Sequence, residues 1–313
     1  MIYRITEALI AGGYNAKVLI PGKNLYPQDN PPDYKPFWFD TELSVVDDVD
    51  VITSDDVVIL HEEAVWAYDS VIKNNPRIIM LNQGLQASMV DMPSNVSWSK
   101  ACQAYQNALG SIVVSKYIKQ GIHKLFGARE LRTHVINPAR LIDNYFVPGI
   151  KTNTILVMLK STARNNMATD MMLKVFRERY PDWNLEIMSG MLSTREVAQA
   201  MASAKIFLFF CNNAGEGFGL PPFEAAMSGC KVIGYSGLGG SQYWQEPLMT
   251  EVEYNDIVSF VDVLDTWTII LKDGSMLEVS DEARQVHSNL MELRSLTEFN
   301  NEVVDIVKKL IKE

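Results

Sequence analysis

An α/β fold with parallel sheets is what this sequence predicts, and two observations carry the prediction. Short apolar runs of strand length alternate with helix-length segments along most of the chain. One run, Lys205 to Phe210, leads into Gly215-Glu216-Gly217-Phe218-Gly219 and then into a helix opened by Pro221 and Pro222 and stopped at Gly229. A chain of 313 residues is long enough for two domains, each with its own core.

Residues 1–11 read as a helix, followed by a strand over 16–20 and a Pro/Asn/Asp-rich loop near 21–36. Apolar strands follow at 57–60, 77–81 and 111–115, and Ser115 is placed to cap a helix over 116–125. The segment Val135-Ile136-Asn137-Pro138 leads to Val147-Pro148-Gly149, which predicts a domain boundary near 150. A second alternating unit starts at 154–159, continues through a helix of 167–180 ended by Pro181, and adds a strand at 185–188. Ser193 and Glu196 form a capping box that opens a helix over 194–203. A last helix spans about 295–312, and there is no internal repeat or low-complexity tract.

A formal net charge of −10 argues against a nucleic-acid partner, which requires a basic footprint. No apolar run approaches 18 residues and no secretory leader is present, so neither a membrane span nor export is expected. The expectation is a cytoplasmic protein, with peripheral contact at the inner face of the membrane left open because a local basic patch can sit within an acidic total. Cys102, Cys211 and Cys230 are odd in number and lack metal-ligand spacing, which reads as reduced thiols. The four histidines are scattered, so no metal is expected. Asp48-Val49-Asp50 matches a D-x-D metal signature but lies in a generally acidic stretch and reads as solvated loop. Met167, Met171 and Met172 read as core filler. The glycines of 234–240 lack the spacing of a nicotinamide-binding fingerprint.

The glycine-rich corner carries the chemistry. Glycines let the backbone turn sharply and approach a ligand, and a strand, a glycine turn and a helix N-terminus together suit an anion such as a diphosphate. Glu216 lies on the turn and Glu224 about one turn into the helix, on either side of the same ligand position. A carboxylate at Glu224 is suited to accept hydrogen bonds from sugar hydroxyls. His61 follows a strand at its carboxyl end, the edge where α/β sheets bind ligands.

Glu216, seven intervening residues and Glu224 resemble the E-x7-E signature of the family-4 retaining glycosyltransferases. The stretches Gly217-Phe218-Gly219-Leu220-Pro221-Pro222, Val232-Ile233-Gly234-Tyr235 and Gly237-Leu238-Gly239-Gly240 continue the pattern. Val114-Ser115-Lys116-Tyr117, the segment Val135 to Pro148 and Leu81-Asn82-Gln83-Gly84 extend the resemblance over most of the chain. The resemblance implies a GT-B fold, with two Rossmann-like domains whose parallel sheets face a cleft and with the first strand of the amino-terminal domain missing. It divides the chain into an acceptor-side domain over 1–150, joined by a crossover helix at 295–312, and a donor-binding domain over 151–294.

It also implies hexosyl transfer from a nucleotide-diphosphate sugar to a hydroxyl acceptor, whether glycan, lipid-linked or small molecule. Glu216, Lys160 and Arg164 take the catalytic places, and Glu224 with Gly217, Phe218, Gly219 and Leu220 holds the donor. Lys160 and Arg164 match the cations that relatives place beside the leaving diphosphate, in inverted order. Asn82, Gln83 and His61 are candidates for the acceptor side. No cofactor and no metal are required, because cationic side chains carry the electrostatic work. The alternative is a non-catalytic nucleotide-sugar-binding or partner subunit descended from such an enzyme. Base, sugar, acceptor and oligomeric state stay open.

Overall fold

The computed structural model describes residues 1–20, 41–85, 97–159, 167–188, 192–211, 216–272 and 281–312. The chain divides into two compact units, Met1–Asn137 with Leu296–Glu313, and Pro138–Ser295. Every strand pairing described is parallel.

In the first unit, helix α1 (Ile2–Ala11) precedes a small pair, β1 (Val18–Leu19) with β2 (Val45–Val46). The main sheet follows in the spatial order β3 (Val57–His61), β4 (Arg77–Asn82), β5 (Gly110–Val113) and β6 (Thr133–Val135). Between these strands run α2 (Tyr68–Val71), α3 (Trp98–Asn107) and α4 (Lys116–Phe126). All four residues of β5 and the last five of β4 are buried, the continuous apolar pattern of parallel strands covered on both faces. Helix α4 begins at Ser115, whose hydroxyl accepts the Ile118 N–H at 3.3 Å, and ends at Gly127 with φ 70°. The Asp48-Val49-Asp50 stretch forms a short 3-10 turn in which the Asp48 carboxylate accepts the Asp50 N–H at 2.9 Å.

The second unit comprises β7 (Thr152–Leu159), α5 (Met167–Arg179), β8 (Asn184–Met188), α6 (Thr194–Ser203) and β9 (Ala204–Phe210). It continues with α7 (Leu220–Met227), β10 (Lys231–Gly234), β11 (Met249–Glu251), α8 (Ile257–Lys272) and α9 (Asp281–Glu292). The strand order is β11-β10-β9-β7-β8, so the chain enters at β7, steps to one edge and then winds the other way. The capping box of α6 forms, with Ser193 and Glu196 satisfying each other's backbone N–H groups. Met172 is buried as core filler, whereas Met171 is 47% exposed and plays no such part. The last helix, α10 (Leu296–Lys312), packs in the first unit against α1, burying Phe299, Val303, Val307 and Leu310 along one stripe.

Two buried lysines and one half-buried lysine bond the second unit's strands to its helices. Lys151 Nζ donates to the carbonyls of Met201 (3.0 Å), Ala204 (2.8 Å) and Ser228 (2.6 Å), at the carboxyl ends of α6 and α7. Lys205 Nζ donates to Asn153 Oδ1 at 2.7 Å and to the Leu271 carbonyl of α8 at 2.6 Å. Lys231 Nζ sits 4.0 Å from the Trp267 ring centroid and 3.0 Å from Glu246. Burial pulls both Lys151 and Lys231 below the ordinary lysine range, Lys231 to about 8. Among the described residues, no helix is long and apolar enough to cross a membrane.

Candidate functional site

The strand order places a topological switch point between β7 and β9, where the connections from the two strands leave in opposite directions. In open parallel sheets this is where a crevice forms at the carboxyl ends of the strands. Leu159, the last residue of β7, pairs in register with Phe210, the last of β9. The glycine corner begins just past β9, so it leaves the sheet beside the switch point.

Two glycine loops interlock there. The Glu216 N–H donates to the Gly237 carbonyl at 2.6 Å, and the Gly239 N–H donates to the Glu216 carbonyl at 3.0 Å. Glu216 and Leu238 form an isolated parallel bridge. The approach is close enough that side chains are excluded. A Cβ on Gly237, whose φ is +69°, would lie 2.5 Å from the Glu216 nitrogen, and one on Gly239 would strike the carbonyls of Gly217 and Glu216. Gly219 precedes α7 with φ +77°.

Tyr243 holds this corner from beneath. Its hydroxyl donates to the Gly219 carbonyl, and its ring packs 4.8 Å from Phe218 and 5.2 Å from Phe223. Burial, and then the nearby Glu216 carboxylate, hold the phenol well above its ordinary range, with Glu224 adding to the same effect. The hydroxyl therefore stays a donor, and both acids lie close enough for it to feel their charge. Glu216 and Glu224 are each half-buried. Tyr243→Phe leaves the Gly219 carbonyl without this donor, at a cost of about 1–2 kcal/mol. Calorimetry should show the second unit melting a few degrees earlier, and an unchanged transition would mean the hydroxyl carries no weight.

The first turn of α7 is poorer in donors than a strand–glycine–helix corner predicts. Pro221 and Pro222 have no N–H, so in that turn Leu220 and Phe223 retain theirs. An anion held here draws less on the helix N-terminus and more on side chains. Lys160 and Arg164, expected to supply those cations, lie outside the described residues, as does Gly215. Gly217, Phe218 and Gly219 are buried and Leu220 is half-buried.

In the first unit, β3 and β4 bring His61 and Gln83 together at the carboxyl edge of the sheet. The Gln83 amide lies 2.5 Å from His61 Nε2. Asn82 does not share this exposure. It is fully buried and donates to Tyr105 Oη at 2.6 Å, so it serves the core, and the candidate edge narrows to His61 and Gln83. Glu62 is 2% exposed and accepts the N–H groups of Gln83 and Gly84, each at 2.9 Å. Burial pushes its carboxyl up to about 8 and holds His61 down to about 4, so both are largely uncharged near neutral pH. Among the described residues, no group of three or more His, Cys, Asp or Glu is placed to hold a metal ion.

No protein-family model matches the chain. It is 29% identical over 191 residues to an α-1,6-glucosyltransferase of Actinobacillus pleuropneumoniae serotype 7 (strain AP76), a match covering 59% of this chain and 54% of the relative. The chain therefore spans about half the length of that curated relative. Among solved structures it is similar to sucrose-phosphate synthase from Thermosynechococcus elongatus, with TM-score 0.63 and 10% identity over 99% of this chain and 92% of that one. It is also similar to Anabaena HepE, whose structure holds UDP and glucose, with TM-score 0.56 and 11% identity over 81% and 78% of the two chains. The pneumococcal O-GlcNAc transferase GtfA, solved with UDP and GlcNAc, superposes with TM-score 0.57 and 13% identity over 84% and 58%. These neighbours are GT-B glycosyltransferases, and the fold of this chain is theirs.

Proposed function

We propose that this chain, a protein of the GT-B glycosyltransferase fold, transfers a hexosyl group from a nucleotide-diphosphate sugar to a hydroxyl acceptor with retention at the anomeric carbon. One observation carries the reading. Glu216 and Glu224, spaced as in the family-4 enzymes, bracket a glycine-lined corner that follows β9, a strand at the switch point of a parallel sheet. The similarity to a glucosyltransferase supports it, and so does a neighbour that binds UDP-glucose.

In this reading Glu224 accepts hydrogen bonds from the ribose hydroxyls, and Glu216 orients the donor sugar. Lys160 and Arg164, with the amides near Gly219, stabilise the diphosphate as negative charge grows on it. The bond from the anomeric carbon to the diphosphate oxygen breaks as that carbon bonds to the acceptor oxygen. The acceptor proton passes to the departing phosphate, so no dedicated base is needed, and the cationic side chains take the role a metal plays elsewhere. His61 and Gln83 are the acceptor-side candidates.

Thermal denaturation tests the donor assignment. A nucleoside diphosphate should raise the melting temperature by mass action on the folded state. Glu224→Ala should weaken that rise by removing charge-assisted hydrogen bonds worth ~1–3 kcal/mol each. Equal stabilisation of wild type and variant by uridine, guanosine and adenosine diphosphates would remove Glu224 from the site.

A further inference from the structure

We propose that Glu62 is a positioning residue, a buried carboxyl that locks His61 and the Gln83–Gly84 turn into one arrangement at the carboxyl edge of the first unit's sheet. The inference rests on the transferase reading for what that arrangement serves, namely an acceptor hydroxyl.

One carboxyl group reaches both strand ends. Glu62 Oε1 accepts the N–H groups of Gln83 and Gly84, each at 2.9 Å, just past β4. Glu62 Oε2 lies 3.1 Å from His61 Nε2 at the end of β3, where the Glu62 side chain is 1% exposed and that of His61 13%. Nδ1 of His61 lies 3.3 Å from the Glu63 N–H and 3.8 Å from the mostly exposed Glu63 carboxylate. The imidazole is therefore met at Nδ1 by the Glu63 N–H and at Nε2 by the Gln83 side-chain amide, and Glu62 Oε2, which has no hydrogen-bond partner among the described residues, lies against Nε2.

Filling space does not account for a carboxyl here. Burying one is costly unless its oxygens are used, and an apolar side chain of similar volume would fill the same volume without that cost. What an apolar side chain would not do is accept the backbone N–H groups after β4 while a second polar atom lies against the imidazole that ends β3. His61, Gln83 and Gly84 all keep some solvent exposure. Neutral donors and acceptors of this kind suit a hydroxyl more than a charged ligand.

Glu62→Gln and Glu62→Leu in the full chain test this. Glutamine keeps an oxygen for the two backbone N–H groups, while leucine keeps none. In Glu62→Leu the Gln83 and Gly84 amides should exchange with solvent about tenfold faster or more, and the His61 ring signal should move in nitrogen-15 spectra. Glu62→Gln should restore the exchange protection. With UDP-glucose as donor and methyl α-D-glucoside as probe acceptor, Glu62→Leu should raise the acceptor KM about tenfold with donor KM unchanged, the loss of one or two positioned hydrogen bonds. A residue that only stabilised the fold would move neither the KM split nor the ring signal. If wild type shows no transfer, the transferase reading fails while exchange and ring signals still decide the positioning. Unchanged exchange and ring signals in Glu62→Leu, or an unchanged acceptor KM in an active enzyme, overturns it.

Discussion

Glu216→Gln should lower sugar transfer by roughly 100-fold or more, the scale seen when one preorganised electrostatic group is lost from an active site. Glutamine keeps the length of the side chain and the backbone bonds to Gly237 and Gly239, so the corner itself should survive. What changes is the charge facing the donor sugar. If Glu216 orients that sugar toward the transition state, turnover falls further than donor affinity does. The measurement is release of UDP from UDP-glucose, with and without acceptor, beside a nucleotide titration of the same variant. A variant that turns over like wild type would take Glu216 out of the reaction. Nucleotide binding with no turnover in either form would favour the binding-subunit alternative.

Gly239→Ala should cost the second unit about 3 kcal/mol and remove its response to nucleotide. The new methyl group would strike two backbone carbonyls, those of Gly217 and Glu216, and neither can swing aside as a flexible side chain would. Overpacking against rigid neighbours costs typically ~1–3 kcal/mol and sometimes more. For a unit of this size that corresponds to a melting transition lower by roughly 6–12 °C. The functional loss follows from the same displacement. Pushing the 237–240 loop away releases the Glu216 backbone from its two bonds to that loop and lets its carboxylate turn from the donor position. A melting temperature within a degree of wild type, with the nucleotide shift intact, would show that the loops do not depend on this approach.

Much of the site was legible because its signals are local. The apolar run ending at Phe210, the glycines of 215–219, the paired prolines and the stop at Gly229 each constrain the backbone within a few residues. Caps at Ser115 and Ser193 likewise act within one turn, and both form. Other elements lack such markers. Helix α8 is apolar around much of its surface and has no clear amphipathic stripe in the sequence, and β10 opens on a lysine. Lysine in a buried strand contradicts the usual pattern. Lys231 is tolerated because Trp267, Glu246 and the Pro247 carbonyl gather around its ammonium group from other parts of the chain.

Tyr243 and Glu62 show the same division more sharply. Tyr243 lies 24 residues from the glycine whose carbonyl it holds, and nothing in its neighbours marks it. Glu62 sits beside Glu63, yet one is buried and bonded to the next strand's end while the other is mostly exposed. Asn82 followed the opposite course, from candidate ligand to a buried partner of Tyr105. The sequence alone determined where the chain turns, where helices start, and which acids flank the glycine corner, because those outcomes depend on backbone freedom and neighbouring side chains. Only the tertiary structure decided which polar groups are buried and what they touch. Strand order and helix packing bring distant residues within hydrogen-bond range, and burial then sets their charge.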